Sequence, residues 1–206
     1  MRFLPGLLLL LPLASPFAQA ELIDDVNDRG ELRIALEADL PPFSFQQDGQ
    51  LTGFEVELGK LLAQELDVNA SLLVTDASDL LSGVESGKYD VAINHMVKTP
   101  DLQDRFDFSQ PYTATGAQML VRNDLPKPPN TLQTFQNQTL GVVQNSAFVE
   151  QTPSAELAPA LPLVIPFQKG NPAFQASLDN ALQRIKADGR LAALSQKWLG
   201  SNAQQP

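Results

Sequence analysis

The chain contains no cysteine. Disulfides, a thiolate nucleophile and a cysteine for lipid attachment are thereby excluded. Histidine occurs once, at His95. A lone imidazole has no His or Cys companions for a zinc site, and no nucleophile or carboxylate constellation accompanies it as a catalytic base would need. It reads as a cleft-lining or packed residue. Positive charge is scarce: 14 Lys and Arg stand against 24 Asp and Glu, for a net charge of −10. This balance argues against nucleic acid and anionic membrane as partners. Beyond the first twenty residues, no apolar run approaches the roughly 20 residues a membrane span needs.

What is present begins with MRFLPGLLLLLPLASPFAQA. Arg2 is a one-residue basic region, Leu4 to Ala14 a short apolar run, and Ala18-Gln19-Ala20 a small-residue cleavage site. Residues 1–20 therefore read as a cleaved signal peptide. The expected product starts at Glu21, carries no lipid anchor and resides in the periplasm. Hydrophobic residues make up 43% of the chain, enough for a core. The length suits one ordinary domain or two small ones.

After an acidic leader, residues 31–37 (ELRIALE) read as a strand with Leu32, Ile34 and Leu36 on one face. Pro41-Pro42 ends regular structure, and Gly49 and Gly53 bracket a turn. Residues 54–66 (FEVELGKLLAQEL) have a helical apolar stripe. Strand 70–74, a short helix from Ser78 to Glu85 and strand 90–95 (DVAINH) follow. This strand–helix alternation predicts an α/β fold with a parallel sheet. Thr99 reads as an N-cap and Pro100 as the first residue of a short helix. Residues 116–122 (GAQMLVR) read as a strand. NDLPKPPN (123–130) is a Pro-rich boundary, TLQTF and TLGVV a short helix and strand, and 153–162 irregular. Residues 162–167 (PLVIPF) again read as a strand. The clearest helix spans 171–189, with Asn171 as cap and Phe174, Leu178, Leu182 and Ile185 as buried stripe. Gly189 separates it from RLAALSQKWLG, on whose helical stripe Trp198 is a core residue. The tail 201–206 is expected to be disordered.

Taken in order, GFEVEL, FDFSQPY, TLGVVQNSAF and LQRIKADGRLAALSQKWLG make the chain resemble the extracellular solute-binding proteins of family 3, the periplasmic receptors of polar amino-acid ABC transporters. The resemblance covers nearly all of the chain after residue 20. It implies a periplasmic binding protein type II-like fold, with two α/β lobes around a cleft. Lobe 1 would comprise 21–116 plus 168–200. Residues 117–167 would hold the hinge strands, GAQMLVR and PLVIPF, and lobe 2. Between TLGVVQNSAF and PLVIPF the chain offers only VEQTPSAELAPAL, where family members carry a helix, an acid-bearing strand and another helix. Lobe 2 is therefore expected to be truncated. The carboxylate that pairs with a ligand ammonium is missing from it, and neither Glu150 nor Glu156 matches its position.

The resemblance also carries over candidate ligand contacts. The stacking aromatic is replaced by Leu40, while Phe43 matches a core phenylalanine. Ala77 falls at an apolar wall position. Asn94 keeps a donor, His95 lines the same stretch, and Val97 stands where a hydroxyl is usual. The carboxylate-binding arginine is Leu102, and a neutral side chain cannot replace its bidentate grip. Arg105, three residues on, reads as a surface residue. Ser146 matches a hydroxyl position, in a strand-to-helix turn whose neighbours Gln144 and Asn145 are weaker candidates. No cofactor or metal is expected. The implied partners are a small polar, amino acid-like solute and an ABC permease in the inner membrane, and the protein is expected to be a monomer. Two alternatives stand beside a receptor with an altered site. One is a repurposed or degenerate member that binds no small molecule. The other is an enzyme on the same fold, dehydratase-like, for which no paired catalytic acids are visible.

Overall fold

The computed structural model describes residues 21–115 and 161–200. The leader, the 116–122 strand, the 123–130 boundary, the residues from Gln144 to Glu156 and the tail lie outside them.

A short helix opens the described chain, α1 (Leu22–Arg29), followed by β1 (Glu31–Leu36), β2 (Asp39–Leu40), β3 (Ser44–Gln47) and β4 (Gln50–Thr52). Next come α2 (Phe54–Glu65), β5 (Asn69–Val74), α3 (Ala77–Glu85), β6 (Val91–Ala92), α4 (Pro100–Arg105), β7 (Phe106–Phe108) and β8 (Thr113–Thr115). The chain then resumes with β9 (Leu161–Leu163), β10 (Pro166–Gln168), α5 (Pro172–Ala187) and α6 (Arg190–Leu199). The central sheet has the order β5-β1-β6-β10-β7. Both β5 and β6 run parallel to β1, as the alternation predicts. The rest of the sheet departs from that expectation, because β10 is antiparallel to both β6 and β7. Its direction follows from its approach: the chain comes back beside β8 as antiparallel β9 and enters the sheet from that side.

Apolar residues cover both sheet faces. Leu32, Ile34 and Leu36 pack with α1, α2, α5 and α6, and the stripe Phe174, Leu178, Leu182 and Ile185 is buried there. On the other face Ala35 and Ala92 pack with Leu80, Val84, Tyr89, Phe106 and Phe108. Trp198 packs partly buried against the first cluster.

Several local readings are corrected. The acidic leader is helix α1, whose Leu22 and Val26 are buried. Pro41-Pro42 ends β2 in a turn, as read, but the strands on either side of it belong to the small antiparallel sheet β2-β3-β4, and Gly49 and Gly53 flank strand β4 rather than a turn. The 90–95 strand shrinks to Val91–Ala92, with single ladder bonds Asp90 N–H to Arg33 O and Ile93 N–H to Ala35 O at its ends. PLVIPF is split into β9 and β10 by Val164 and Ile165. Neither Thr99 nor Asn171 caps its own helix with its side chain. Asn171 Oδ1 instead accepts Leu22 N–H at 2.8 Å, and Glu21 Oε2 accepts Ala173 N–H at 2.7 Å. The first turns of α1 and α5 thus exchange caps, each satisfying a donor its own helix leaves open.

Two buried carboxylates hold the layers in place. Asp90 precedes β6 and is wholly buried. It accepts Arg33 N–H at 2.7 Å and pairs with Arg33 Nη2 at 2.7 Å and Arg29 Nη2 at 2.6 Å. Glu55, in the first turn of α2, is also wholly buried. Its Oε1 accepts His95 N–H at 2.8 Å and the Tyr112 hydroxyl at 2.5 Å. One acceptor therefore joins α2, the loop after β6 and the approach to β8. Burial pushes the Glu55 carboxyl up from 4.5 to about 7, against the two hydrogen bonds that lower it. Burial and the Glu55 carboxylate raise the Tyr112 hydroxyl in turn.

Removing Asp90 would strand two guanidinium groups and a backbone donor. Asp90→Ala should cost about 3–5 kcal/mol of unfolding free energy, read from a lowered urea midpoint. Glu55 acts through pH. Between 4.5 and about 7 the folded chain holds a proton that the unfolded chain has released, so stability falls as pH rises. This contribution should shrink by about 2 kcal/mol between about pH 5 and about pH 8. His95, whose pKa burial lowers, works in the opposite sense and is common to both proteins when a variant is compared. Glu55→Gln, which keeps an acceptor for Tyr112 and His95, should remove most of the Glu55 slope in urea melts. An unchanged slope would mean that another group titrates.

Candidate functional site

Open parallel sheets bind ligands beyond the carboxyl ends of their strands. At that end of β1 and β6 stand Glu37 and Asn94, one or two residues past each strand. Asn94 is buried, and its side chain continues the ladder after β6 stops. Its Oδ1 accepts Glu37 N–H at 2.9 Å, and its Nδ2 donates to Glu37 Oε2 at 2.7 Å. A carboxylate is thus fixed in orientation by a neutral amide. Glu37 was missed from sequence. Its signal in the sequence is weak: a single acid directly after the apolar run Ile34-Ala35-Leu36.

His95 follows with φ at 56°, in the left-handed region that non-glycine residues enter at a cost. Two contacts hold it there. Its N–H is bound by Glu55, and its ring meets Phe43 edge-on with centroids 4.1 Å apart. Burial lowers its pKa from 6.5, which favours the neutral ring. Its Nδ1 is buried and has no hydrogen-bond partner among the described residues. Phe43 also meets Phe54 edge-on at 6.2 Å, so the β2–β3 turn is seated on the start of α2. Gly53 allows this seating, because a Cβ there would lie 2.2 Å from Phe43 O.

The other sequence candidates are dispersed. Leu40 is half-buried at the end of β2, opposite Ser44. Ala77 is exposed at the start of α3, just past the carboxyl end of β5. Val97 forms an isolated antiparallel bridge to Leu163 and packs against the first core cluster. Leu102 is half-buried against the second cluster, with Met96 beside the same core. Arg105 does not reach toward Asn94. Its guanidinium bonds both Glu85 oxygens, at 3.1 and 2.5 Å, and lies over the Phe106 ring. Ser146, Gln144 and Asn145 lie outside the described residues. The structure thus brings together Asn94, His95 and Phe43 with Glu37. It places Leu102 in apolar packing.

The site adjoins the crossing strands. Val97 and Met96 bond the 163–164 backbone, Val164 N–H reaching Met96 O at 2.9 Å. Helix α5 braces the same region: Asp179 Oδ1 accepts Gln110 N–H at 2.6 Å and Lys186 Nζ donates to Pro111 O at 2.7 Å. Among the described residues, no helix is long and apolar enough to cross a membrane.

The chain is similar to known proteins in sequence and in fold. The chain is 30% identical over 236 residues to the L-cystine-binding protein TcyJ of Escherichia coli (strain K12), covering 90% of this chain and 89% of that one. It is similar to the crystal structure of the ancestral amino acid-binding protein AncCDT-1, a precursor of cyclohexadienyl dehydratase. There the identity is 26% and the TM-score 0.69, covering 87% of this chain and 99% of that one. The L-cystine solute receptor of Neisseria gonorrhoeae, unliganded and open, shares the fold at 22% identity and a TM-score of 0.71, covering 91% of this chain and 100% of that one. The fold is that of the type II periplasmic binding proteins. Residues 32–201 match the bacterial extracellular solute-binding proteins, family 3, and the chain belongs to that family.

Proposed function

We propose that this protein is a periplasmic receptor that captures a small polar solute and delivers it to an ABC permease in the inner membrane, through a ligand site altered from the amino-acid pattern. The observation that carries this reading is the Glu37–Asn94 pair at the carboxyl ends of β1 and β6. It is a pre-oriented polar pair on a rigid sheet, beside the strands through which the chain leaves and re-enters. Resemblance to the L-cystine-binding TcyJ supports binding rather than catalysis as the role. The alteration lies in what accompanies the pair. Leu102 is engaged in apolar packing and Arg105 in its pair with Glu85, so the candidate arginine grip has no successor among the described residues. The signal-like residues 1–20 support export.

A second reading is favoured by one observation. The alignment to TcyJ spans 236 positions, more than the 206 residues of the whole chain, and so opens gaps in this chain. The second reading assigns those gaps to the short stretch between TLGVVQNSAF and PLVIPF. On this reading the second lobe is reduced, and the protein is a repurposed member that no longer holds a small molecule.

A thermal melt of the purified protein against pooled small solutes separates the two. A solute at a hundredfold over its Kd adds about 2.7 kcal/mol, a rise in Tm of several degrees for a chain of this size. The receptor reading predicts a cooperative melt that rises with at least one pool. A cooperative melt that moves with none of them would overturn it and leave the repurposed member.

A further inference from the structure

We propose that the ligand is a small organic cation lacking a carboxylate, bound through its ammonium or guanidinium group to Glu37. This inference rests on the receptor reading and names the solute class for the same site.

Among the described residues the charge at the site has one sign. Asn94 occupies Glu37 Oε2, and among the described residues no donor meets Oε1. The proposal assigns that oxygen to a ligand donor. Cations that could oppose it are committed elsewhere. Arg29 and Arg33 bind Asp90 at the opposite end of β1. Arg105 binds Glu85, while Arg184 and Arg190 both bind Glu65 at the far end of α2. Lys98, the nearest lysine in sequence, lies over the Phe108 ring at 5.5 Å. Burial lowers the His95 pKa and so disfavours its charged form. The segment 116–160 holds two cations, Arg122 and Lys127, against three acids, Asp124, Glu150 and Glu156, so its composition supplies no positive surplus.

The consequence for a solute is a matter of sign. An ammonium or guanidinium would form a charge-assisted hydrogen bond to an acceptor whose geometry Asn94 has already set. A solute carboxylate would bring a second negative charge beside Glu37, with no uncommitted cation among the described residues to offset it. An amino acid offers both groups and gains from only one. Its decarboxylated amine offers only the favourable one.

Matched pairs test this directly. Arginine is titrated beside agmatine, and lysine beside cadaverine, by calorimetry on the full chain and on Glu37→Gln, with cystine as a zwitterionic control. Each pair differs by the carboxylate alone. The expected result is that at least one amine binds about tenfold or more tighter than its parent amino acid, and that Glu37→Gln weakens the amine about tenfold or more. The variant should keep the Tm of the parent within about two degrees, since it retains the Asn94 contacts. Amino acids or cystine binding as tightly as the amines would overturn the cation assignment while leaving the receptor reading intact. So would undiminished amine binding by the variant, or a neutral solute alone raising Tm. Binding by no solute, in titrations and pools alike, would remove both.

Discussion

The Glu55 carboxyl is the constraint on which the candidate site depends. It lies in the first turn of α2, wholly buried, and accepts hydrogen bonds from the His95 backbone and the Tyr112 hydroxyl. Three segments far apart in sequence meet at one oxygen. That bond helps hold His95 in its left-handed conformation, and His95 in turn sets where Asn94 and Val97 fall on either side of it. Tyr112 stands immediately before β8, so the same acceptor also fixes where the chain departs the sheet. A buried carboxyl is costly without partners. Here the two donors offset part of that cost, and the remaining burial shows as a raised pKa.

From this tie the site follows by short steps. Strand β6 ends after two residues, and the Asn94 side chain takes over the ladder by bonding the Glu37 backbone and carboxylate. The result is a carboxylate that needs little reorganisation to meet a ligand, a condition that favours binding over adaptation. The arginines found elsewhere do structural work. Asp90 gathers two of them at the amino end of β1, and Glu65 gathers two more where α2 meets α5 and α6. Positive charge is thereby spent on layer packing, and the mouth of the sheet is left acidic.

Much of the fold was legible in the sequence, for physical reasons that differ by element. The stripes of α2 and α5 and the alternation of β1 are strong periodic signals, and their buried faces are as read. The same periodicity could not show direction, so the antiparallel entry of β10 was missed. It depends on where a distant crossing pair delivers the chain. Helix α1 was hidden because its acidic, polar run buries only Leu22 and Val26. Asn171 looked like an ordinary cap, yet its partner is 149 residues away, a relation no local pattern encodes. At the site, Asn94 and His95 were named as candidate contacts through the family resemblance, and Phe43 as a core residue. Glu37 was not, because a single acid at the end of a strand reads as solvated until Asn94 is seen clamping it. Leu102 was read as a residue unable to grip a carboxylate, and the structure places it in apolar packing.

The central claim is that the solute is held at the carboxyl ends of β1 and β6. Amide NMR of the isotopically labelled protein, titrated with whichever solute raises its Tm, tests that claim most directly. The account predicts that the largest shifts fall on Glu37, Asn94 and His95, with smaller ones relayed through Glu55 to Tyr112. Shifts centred on α4 and β7, or on the α5–α6 surface, with Glu37 and Asn94 unmoved, would contradict it.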